Sequence, residues 1–262
     1  MISNFLFFSY MVFMSCSVPL SVGLQYSYKK SKLAWADSIV YVATRNTQLL
    51  CVDETNMCIP LEQSYGAGTS FVIKKIFDQT VIMTAAHLCY AHQGGESQSV
   101  MNGIATIETK FDMSIGVGEE LFIVNNILFL DVENDICVFS VPVDIGRVMP
   151  ISRFEPSYGD EVWSIGAPAG YFPESAKPIT KGIFSGSAER VYNNGEKIEF
   201  YNFSMPTVGG MSGSPIINKS GEVVGIVSAV NSEWHMISFS PTLSQIKESI
   251  GIAILKLAIQ NP

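Results

Sequence analysis

Gly209-Gly210-Met211-Ser212-Gly213-Ser214-Pro215 sets a serine among glycines directly before the apolar pair Ile216-Ile217. A tight turn at such a place exposes one side chain and aims backbone N–H groups at a common point. Acyl chemistry needs both features, a nucleophile and donors for the oxygen that becomes negative. Ser212 is the candidate nucleophile. The N–H groups of Gly210 and Ser212 are the candidate oxyanion donors, and glycine at 210 avoids both crowding a substrate and forbidding the turn. A hydroxyl also needs a base. Thr84-Ala85-Ala86-His87 ends an apolar run with small residues and then a histidine, which places an imidazole at a core edge facing a cleft. His92, in a polar Gln-Gly-Gly loop, and His235, behind Trp234 in a late turn or strand, have no comparable surroundings. Glu133-Asn134-Asp135-Ile136-Cys137-Val138-Phe139 puts an acid at the start of an apolar strand, whereas Asp112, Asp131, Asp144 and Asp160 lie beside polar or turn residues and read as solvated. A buried carboxylate at 135 is tenable only with hydrogen bonds, which the N–H of His87 and the hydroxyl of Ser228 can supply.

The elements that must position these groups are mostly strands. Ile39–Val42, Thr69–Ile73, Val81–Thr84 and Ile136–Val141 are β-branched and aromatic runs of strand length, and the same texture resumes at Glu161–Ile165, Ile198–Phe203, Ser214–Ile217 and Glu222–Val230. Many short strands at close spacing imply an all-β sandwich or barrel, and no long internal repeat points to a solenoid or propeller. One long helix is expected at the end, where Thr242-Leu243-Ser244-Gln245 has a capping-box pattern and Ile246, Ile250, Ile254 and Leu257 follow at helical spacing. The least strand-like connection, from about Pro142 to Tyr158, carries Pro150 and Pro156 and marks the expected boundary between two β-rich halves, 36–150 with His87 and Asp135 and 151–262 with Ser212 and the helix.

Composition narrows the function. The net charge is −8 and the lysines and arginines are scattered in ones and twos, so no basic stripe can track a phosphate backbone and nucleic acid is not an expected partner. Residues 1–23 read as an export signal: Phe5 to Met14 is an apolar run with small residues behind it, and Ser21-Val22-Gly23 is the preferred cleavage site. The alternative is a retained membrane anchor, since residues 5–24 are nearly long enough to span a bilayer. Cys16 would leave with the signal. The remaining four, Cys51, Cys58, Cys89 and Cys137, are either disulfide-bonded or buried free thiols. Cys51 and Cys58 are close enough to staple a hairpin loop, and Cys89 and Cys137 each lie two residues after a proposed site residue. These spacings are not those of paired metal ligands, so no metal is expected, and acyl transfer through a serine requires no organic cofactor.

In their order and contexts, His87, Asp135 and Ser212 resemble the trypsin-like (chymotrypsin-fold) serine peptidases. The likeness is strongest to the bacterial branch that includes the staphylococcal glutamyl endopeptidases and the protease domain of the HtrA family. Gly66-Ala67-Gly68-Thr69-Ser70-Phe71-Val72-Ile73 is similar to the strand before the histidine, Ile165-Gly166-Ala167-Pro168-Ala169-Gly170 and Ile179–Ser185 to the opening of the second barrel, and Gly221–Ser228 to the strand bordering the primary specificity pocket. The resemblance spans about residues 36–258. It implies two six-stranded antiparallel β-barrels, an active site in the cleft between them, and a secreted or periplasmic endopeptidase that acts on protein or peptide as a monomer. A membrane-tethered form facing outside is the alternative location, and a catalytically silent binding protein of the same fold is the alternative function. It also implies that substrate binds as an extended strand along Ser228-Ala229-Val230. By the same resemblance Pro206, Thr207, Val230 and the segment near His235 and Met236 border the pocket for the residue before the cleaved bond. Thr207 matches a pocket threonine of the glutamyl endopeptidases, but their pocket histidine would fall at Val227, and no aspartate occupies the floor as lysine or arginine selectivity would require. Val230 stands where trypsin has a glycine, so a small or medium apolar residue is the expected preference.

Overall fold

In the computed structural model of this chain, the residues described are 36–52, 57–89, 98–100, 105–117, 120–166, 177–191, 195, 197–230 and 236–261. The expected export signal, Cys16, His92, Ala167–Gly170 and His235 lie outside them.

The first half forms one antiparallel sheet. A long hairpin, β1 (Ile39–Val52) and β2 (Met57–Ile76), is followed by β3 (Gln79–Thr84) and the four-residue helix α1 (Ala86–Cys89). Then come β4 (Gln98–Val100), β5 (Ala105–Val117), β6 (Glu120–Ile123), β7 (Asn126–Asp131) and β8 (Ile136–Val141). The strand order is β4-β5-β1-β2-β3-β8-β7, with β6 paired to β5. Two residues separate β6 from β7, so the stretch 120–131 touches both ends of this sheet. Every residue of β8 is buried, as a strand lined on both faces must be.

The second half repeats the plan. It contains β9 (Glu161–Ile165), β10 (Ile179–Val191), β11 (Lys197–Ser204), β12 (Pro215–Ile217), β13 (Val223–Ile226), β14 (Ala229–Val230) and β15 (Ile237–Pro241), in the order β13-β12-β9-β10-β11-β15-β14. The architecture is thus the expected one, two antiparallel sheets and a terminal helix. The sheets count eight and seven strands where six apiece are expected, the additional ones being short pieces such as β4, β6 and β14. The run read as one strand from Glu222 to Val230 is broken at Val227–Ser228, where the chain leaves β12 and crosses to β15.

Three apolar clusters hold this together. One fills the first sheet around Val42, Ile82, Met113 and Phe139, and another fills the second around Val162, Phe203, Met205 and Met211. The third is shared: Phe71, Met83 and Val138 of the first sheet pack with Ile165, Ile217 and Ile226 of the second and with Ile246, Ala253 and Leu257 of α2 (Leu243–Gln260). The capping box read from the sequence is present, with the Thr242 hydroxyl accepting from Gln245 N–H and the Gln245 side chain accepting from Thr242 N–H. The helix reaches back to the first sheet, where Lys256 Nζ donates to Ile127 O at 3.0 Å. The segment between Val141 and Glu161 is stitched to both sheets, because Met149 N–H donates to Val72 O and Val223 N–H to Pro150 O. Among the described residues no helix is long and apolar enough to cross a membrane.

Candidate active site

His87 is presented by a fully buried base. Thr80 through Ala86 are all buried, and in α1 Leu88 and Cys89 turn inward while His87 faces out, with its side chain 46% exposed. Asp135 closes the turn between β7 and β8. That turn is folded by Asp131, whose carboxylate accepts from Asn134 N–H at 2.9 Å and from Asn134 Nδ2 at 2.7 Å. Asp135 is left with φ +55°, a left-handed backbone that costs a non-glycine residue about 1 kcal/mol or more. Converging donors hold it there. The carboxylate accepts from His87 N–H at 2.8 Å, lies 2.9 and 3.1 Å from His87 Nδ1, and takes the Ser228 hydroxyl at 2.5 Å. An aspartate anion can only accept, so Nδ1 carries a proton, and in the neutral imidazole that leaves the lone pair on Nε2. Asp135 is less buried than the sequence reading asks, its side chain being 19% exposed.

Of the two alternatives for the four cysteines, disulfides and free thiols, the structure has the disulfides. Cys89 bonds Cys137, joining the residue two after His87 to the residue two after Asp135, and Cys51 bonds Cys58 across the far end of the β1–β2 hairpin.

The serine lies on two consecutive turns. Met211 N–H returns to Val208 O with Gly210 at φ +88°, and Ser214 N–H returns to Met211 O with Gly213 at φ +81°. Both turns have glycine in the third position, where positive φ is required. Gly213 is also sterically fixed, since a Cβ there would lie 2.1 Å from Thr69 O. Met211 is fully buried beneath the turns, while Ser212 is half-buried. Strand β2 clamps this loop from the first sheet, with Thr69 N–H donating to Ser212 O and Thr69 Oγ1 to Gly210 O, each at 2.8 Å. The N–H groups of Gly210 and Ser212 have no acceptor among the described residues.

Gly68 is where the pieces meet. A Cβ on it would lie 2.2 Å from Leu88 Cδ1 and 3.0 Å from Ser212 O, so the residue after His87 and the backbone of Ser212 flank the same glycine. The structure therefore pairs His87 with Asp135 and brings the Ser212 turn against the helix that carries His87. Among the described residues no hydrogen bond joins the Ser212 hydroxyl to the His87 ring. In unliganded sites that contact is often loose and tightens when substrate binds.

A cavity of about 300 Å³ opens beside His87 and Asp135, walled by Ser228, Ala229, Phe200 and Phe239. The expected substrate edge falls on β14, which ends the second sheet and, among the described residues, pairs only with β15. Pro206 is half-buried and Thr207 buried, its hydroxyl meeting Ser238 Oγ at 3.2 Å. Val227 is packed in the core of the second sheet, so it presents no side chain to a pocket. The sequence reading passed over Thr69, Ser238 and the two phenylalanines. Gly68 before a β-branched run was the legible sign of a close backbone approach.

Set beside known proteins, residues 68–226 match the trypsin-like peptidase domain. A curated relative, the uncharacterized protein y4bJ of Sinorhizobium fredii, is 28% identical over 163 residues, which is 62% of this chain and 22% of that protein, so the chain spans about a fifth of its length. The Rv3671c protease of M. tuberculosis in its active form superposes with a TM-score of 0.59 at 17% identity, covering 84% of this chain and 82% of that one. A serine endoprotease from Yersinia pestis gives 0.55 at 16%, covering 84% and 64%. At such identities the likeness is one of fold.

Proposed function

This chain belongs to the trypsin-like peptidase domain family, and on that premise we propose that it is an exported serine endopeptidase working through Ser212, His87 and Asp135. The observation that carries the reading is the Asp135 carboxylate gathering the His87 backbone N–H, the His87 ring and the Ser228 hydroxyl next to the Ser212 turn. With Nδ1 protonated and held, Nε2 is the base. It takes the Ser212 proton as Oγ attacks the carbonyl carbon of the peptide, and the developing oxyanion is received by the N–H groups of Gly210 and Ser212. The intermediate collapses as Nε2 passes that proton to the departing amine, leaving an acyl ester on Ser212. Water, deprotonated by the same nitrogen, then releases the acid and restores the hydroxyl. This chemistry requires neither metal nor cofactor.

The upstream part of the substrate lies along β14 at Ser228-Ala229-Val230, and the residue before the cleaved bond enters a pocket bordered by Pro206 and Thr207. A small or medium apolar residue fits there, because by the resemblance Val230 stands where trypsin has a glycine and Val227 where the glutamyl endopeptidases have a histidine. Residues 36–150 supply the base and acid, and 151–262 the nucleophile. Two disulfides support an oxidising compartment outside the cytoplasm, with residues 1–23 as the export signal.

A catalytically silent binding protein is the second reading, and the unmade Ser212–His87 bond is what favours it. Labelling with a fluorophosphonate probe separates the two. A covalent adduct on Ser212 that disappears in Ser212→Ala and His87→Ala is expected; correctly folded protein that takes up no label would leave only the binding role.

A further inference from the structure

The amides of Gly210 and Ser212 sit in a loop that has little packing of its own to fix their aim. Val208 is 55% exposed, and nothing lies within 4 Å of where a Cβ on Gly209 would be. Gly209 and Gly210 lack a Cβ, so the peptide planes beside them rotate with little steric resistance. Hydrogen bonds supply what packing does not. The plane joining Gly210 to Met211 is held at both ends, its C=O by the Thr69 hydroxyl at 2.8 Å and its N–H by Val208 O at 3.1 Å. The plane joining Ser212 to Gly213 is held likewise, its C=O by Thr69 N–H at 2.8 Å and its N–H by Val227 O at 2.6 Å. Between them, the plane that carries Ser212 N–H has its C=O on Ser214 N–H at 2.9 Å.

These bonds are not equivalent. The Val208 and Ser214 contacts lie inside the loop and turn with it, whereas Thr69 belongs to β2 of the other sheet. Thr69 is a rigid mount: it is fully buried, it pairs with Tyr41 of β1, and its own C=O takes the Thr84 hydroxyl at 2.7 Å. Its β-branched side chain has few rotamers, so packing sets the direction of the hydroxyl. Once that hydroxyl fixes the Gly210–Met211 plane, the torsions of Gly210, with φ at +88°, decide where Gly210 N–H points. Without it the plane is tied only within its own turn, and glycine has other conformations open to it. We infer that Thr69 is a positioning residue for the oxyanion hole, its hydroxyl aiming Gly210 N–H by holding the carbonyl of the same residue. Thr69 touches neither substrate nor reacting atoms and acts through Gly210.

The inference rests on the peptidase reading, and the experiment keeps the two apart. Thr69→Val retains the shape and the backbone N–H and removes the hydroxyl, while Thr69→Ser retains the hydroxyl. Deleting an oxyanion donor costs about 10²–10³ in kcat, so a donor left in place but loosely aimed should cost about ten- to a hundredfold in Thr69→Val, with KM nearly unchanged. Thr69→Ser should recover most of the loss. A peptide boronic acid binds as Ser212 Oγ bonds to boron and its proton passes to His87 Nε2, which sets an oxygen before the two amides. Its affinity should weaken in Thr69→Val by the same factor as kcat/KM. The Kd of uncleaved peptide, measured on Ser212→Ala with and without Thr69→Val, should not change, and neither should the pH midpoint of kcat/KM, because His87 is untouched. A hydroxyl that serves stability alone would lower Tm and leave kcat and boronate affinity within about twofold of the parent. That outcome, or a peptide Kd that weakens as much as the boronate affinity, overturns the inference and leaves the peptidase reading standing. Should Thr69→Val not fold, the structure of the parent bound to the boronate decides. The Thr69–Gly210 bond kept, with the boronate oxygen on Gly210 N–H, supports the inference, and that bond broken overturns it. A parent protein that neither cleaves peptide nor takes up boronate overturns the peptidase reading and the inference with it.

Discussion

The Ser228 hydroxyl donates to Oδ2 of Asp135 at 2.5 Å, the same oxygen that lies 2.9 Å from His87 Nδ1. Ser228 stands between β13 and β14 of the second sheet, while Asp135 leads into β8 of the first, so one half of the molecule orients the acid supplied by the other. Removing the hydroxyl leaves the carboxylate two donors from His87 but frees it to rotate. Ser228→Ala should lower kcat by about tenfold with KM little changed, in line with the ~1.5–3 kcal/mol attached to a hydrogen bond at a charged group. Asp135→Asn should be far more severe, about 10⁴ in kcat, the figure established for the corresponding change in the serine-protease triad. Steady-state kinetics on one peptide substrate checks both, and near-normal turnover in Asp135→Asn would assign the orienting role elsewhere.

Gly68 tests how tightly the two halves of the site are fitted. A methyl group there would meet Leu88 Cδ1 at 2.2 Å, Leu88 Cδ2 at 2.9 Å and Ser212 O at 3.0 Å. The Leu88 methyls are packed in the core of the first sheet, where close packing leaves little room to turn aside, and Ser212 O is backbone. Gly68→Ala should therefore reduce kcat/KM by tenfold or more and lower Tm by several degrees, as overpacking of about 1–3 kcal/mol does. Gly209→Ala is the control for stability, since nothing lies within 4 Å of a Cβ there and its φ is ordinary. Its Tm should stay within a degree or two of the parent. Thermal melts of the two variants side by side decide the matter.

What the sequence disclosed, and what it withheld, follows the same physics. Strands β8 and β9 were readable to the residue, because a buried strand is a compact apolar run bounded by turns. Helix α2 announced itself through Thr242 and Gln245, a local signal that needs no partner. The outer half of β2 was invisible. Glu62, Gln63 and Ser64 alternate with nothing, because both faces of that edge are in water and no periodicity is imposed on it. The turns that carry Ser212 were legible from its glycines, whereas the clamp by Thr69 arises from a contact across 143 positions in sequence, which no local pattern records. Thr207 looked like a pocket wall in sequence, and only the fold reveals Ser238 as its partner.

The two disulfides should differ in what they protect. Cys89–Cys137 closes a separation of 48 residues and ties the flanks of His87 and Asp135, while Cys51–Cys58 closes one of 7 at the tip of the β1–β2 hairpin. Chain-entropy arguments give about 4 kcal/mol for the longer loop and about 2 kcal/mol for the shorter. Replacing Cys89 and Cys137 together by serine should lower Tm markedly and cut kcat, because α1 and the strand that follows Asp135 then lose their covalent tie. Replacing Cys51 and Cys58 together should lower Tm less and leave cleavage of short peptides near the parental rate. Equal losses of activity in the two double variants would refute the positional argument.

The β1–β5 pairing that backs the long hairpin carries a cross-strand ion pair, Arg45 opposite Asp112, with Nη2 2.6 Å from Oδ2. The hydrogen bond from Arg45 holds the Asp112 carboxyl below its ordinary value. A depressed carboxylate contributes stability that is complete above its unfolded value, near 3.9, and is lost as pH falls through the lower folded value. The parent should therefore melt slightly above Asp112→Asn at pH 7, with the gap closing below about pH 4. Arg45 is exposed and Asp112 only half-buried, so the gap is small and shrinks further in high salt. Melting curves of parent and variant from pH 7 to about pH 2.5, at low and high ionic strength, read this directly. A gap that persists unchanged into acid would mean that Asp112 acts through packing on β5, and that the brace behind the long hairpin is steric rather than electrostatic.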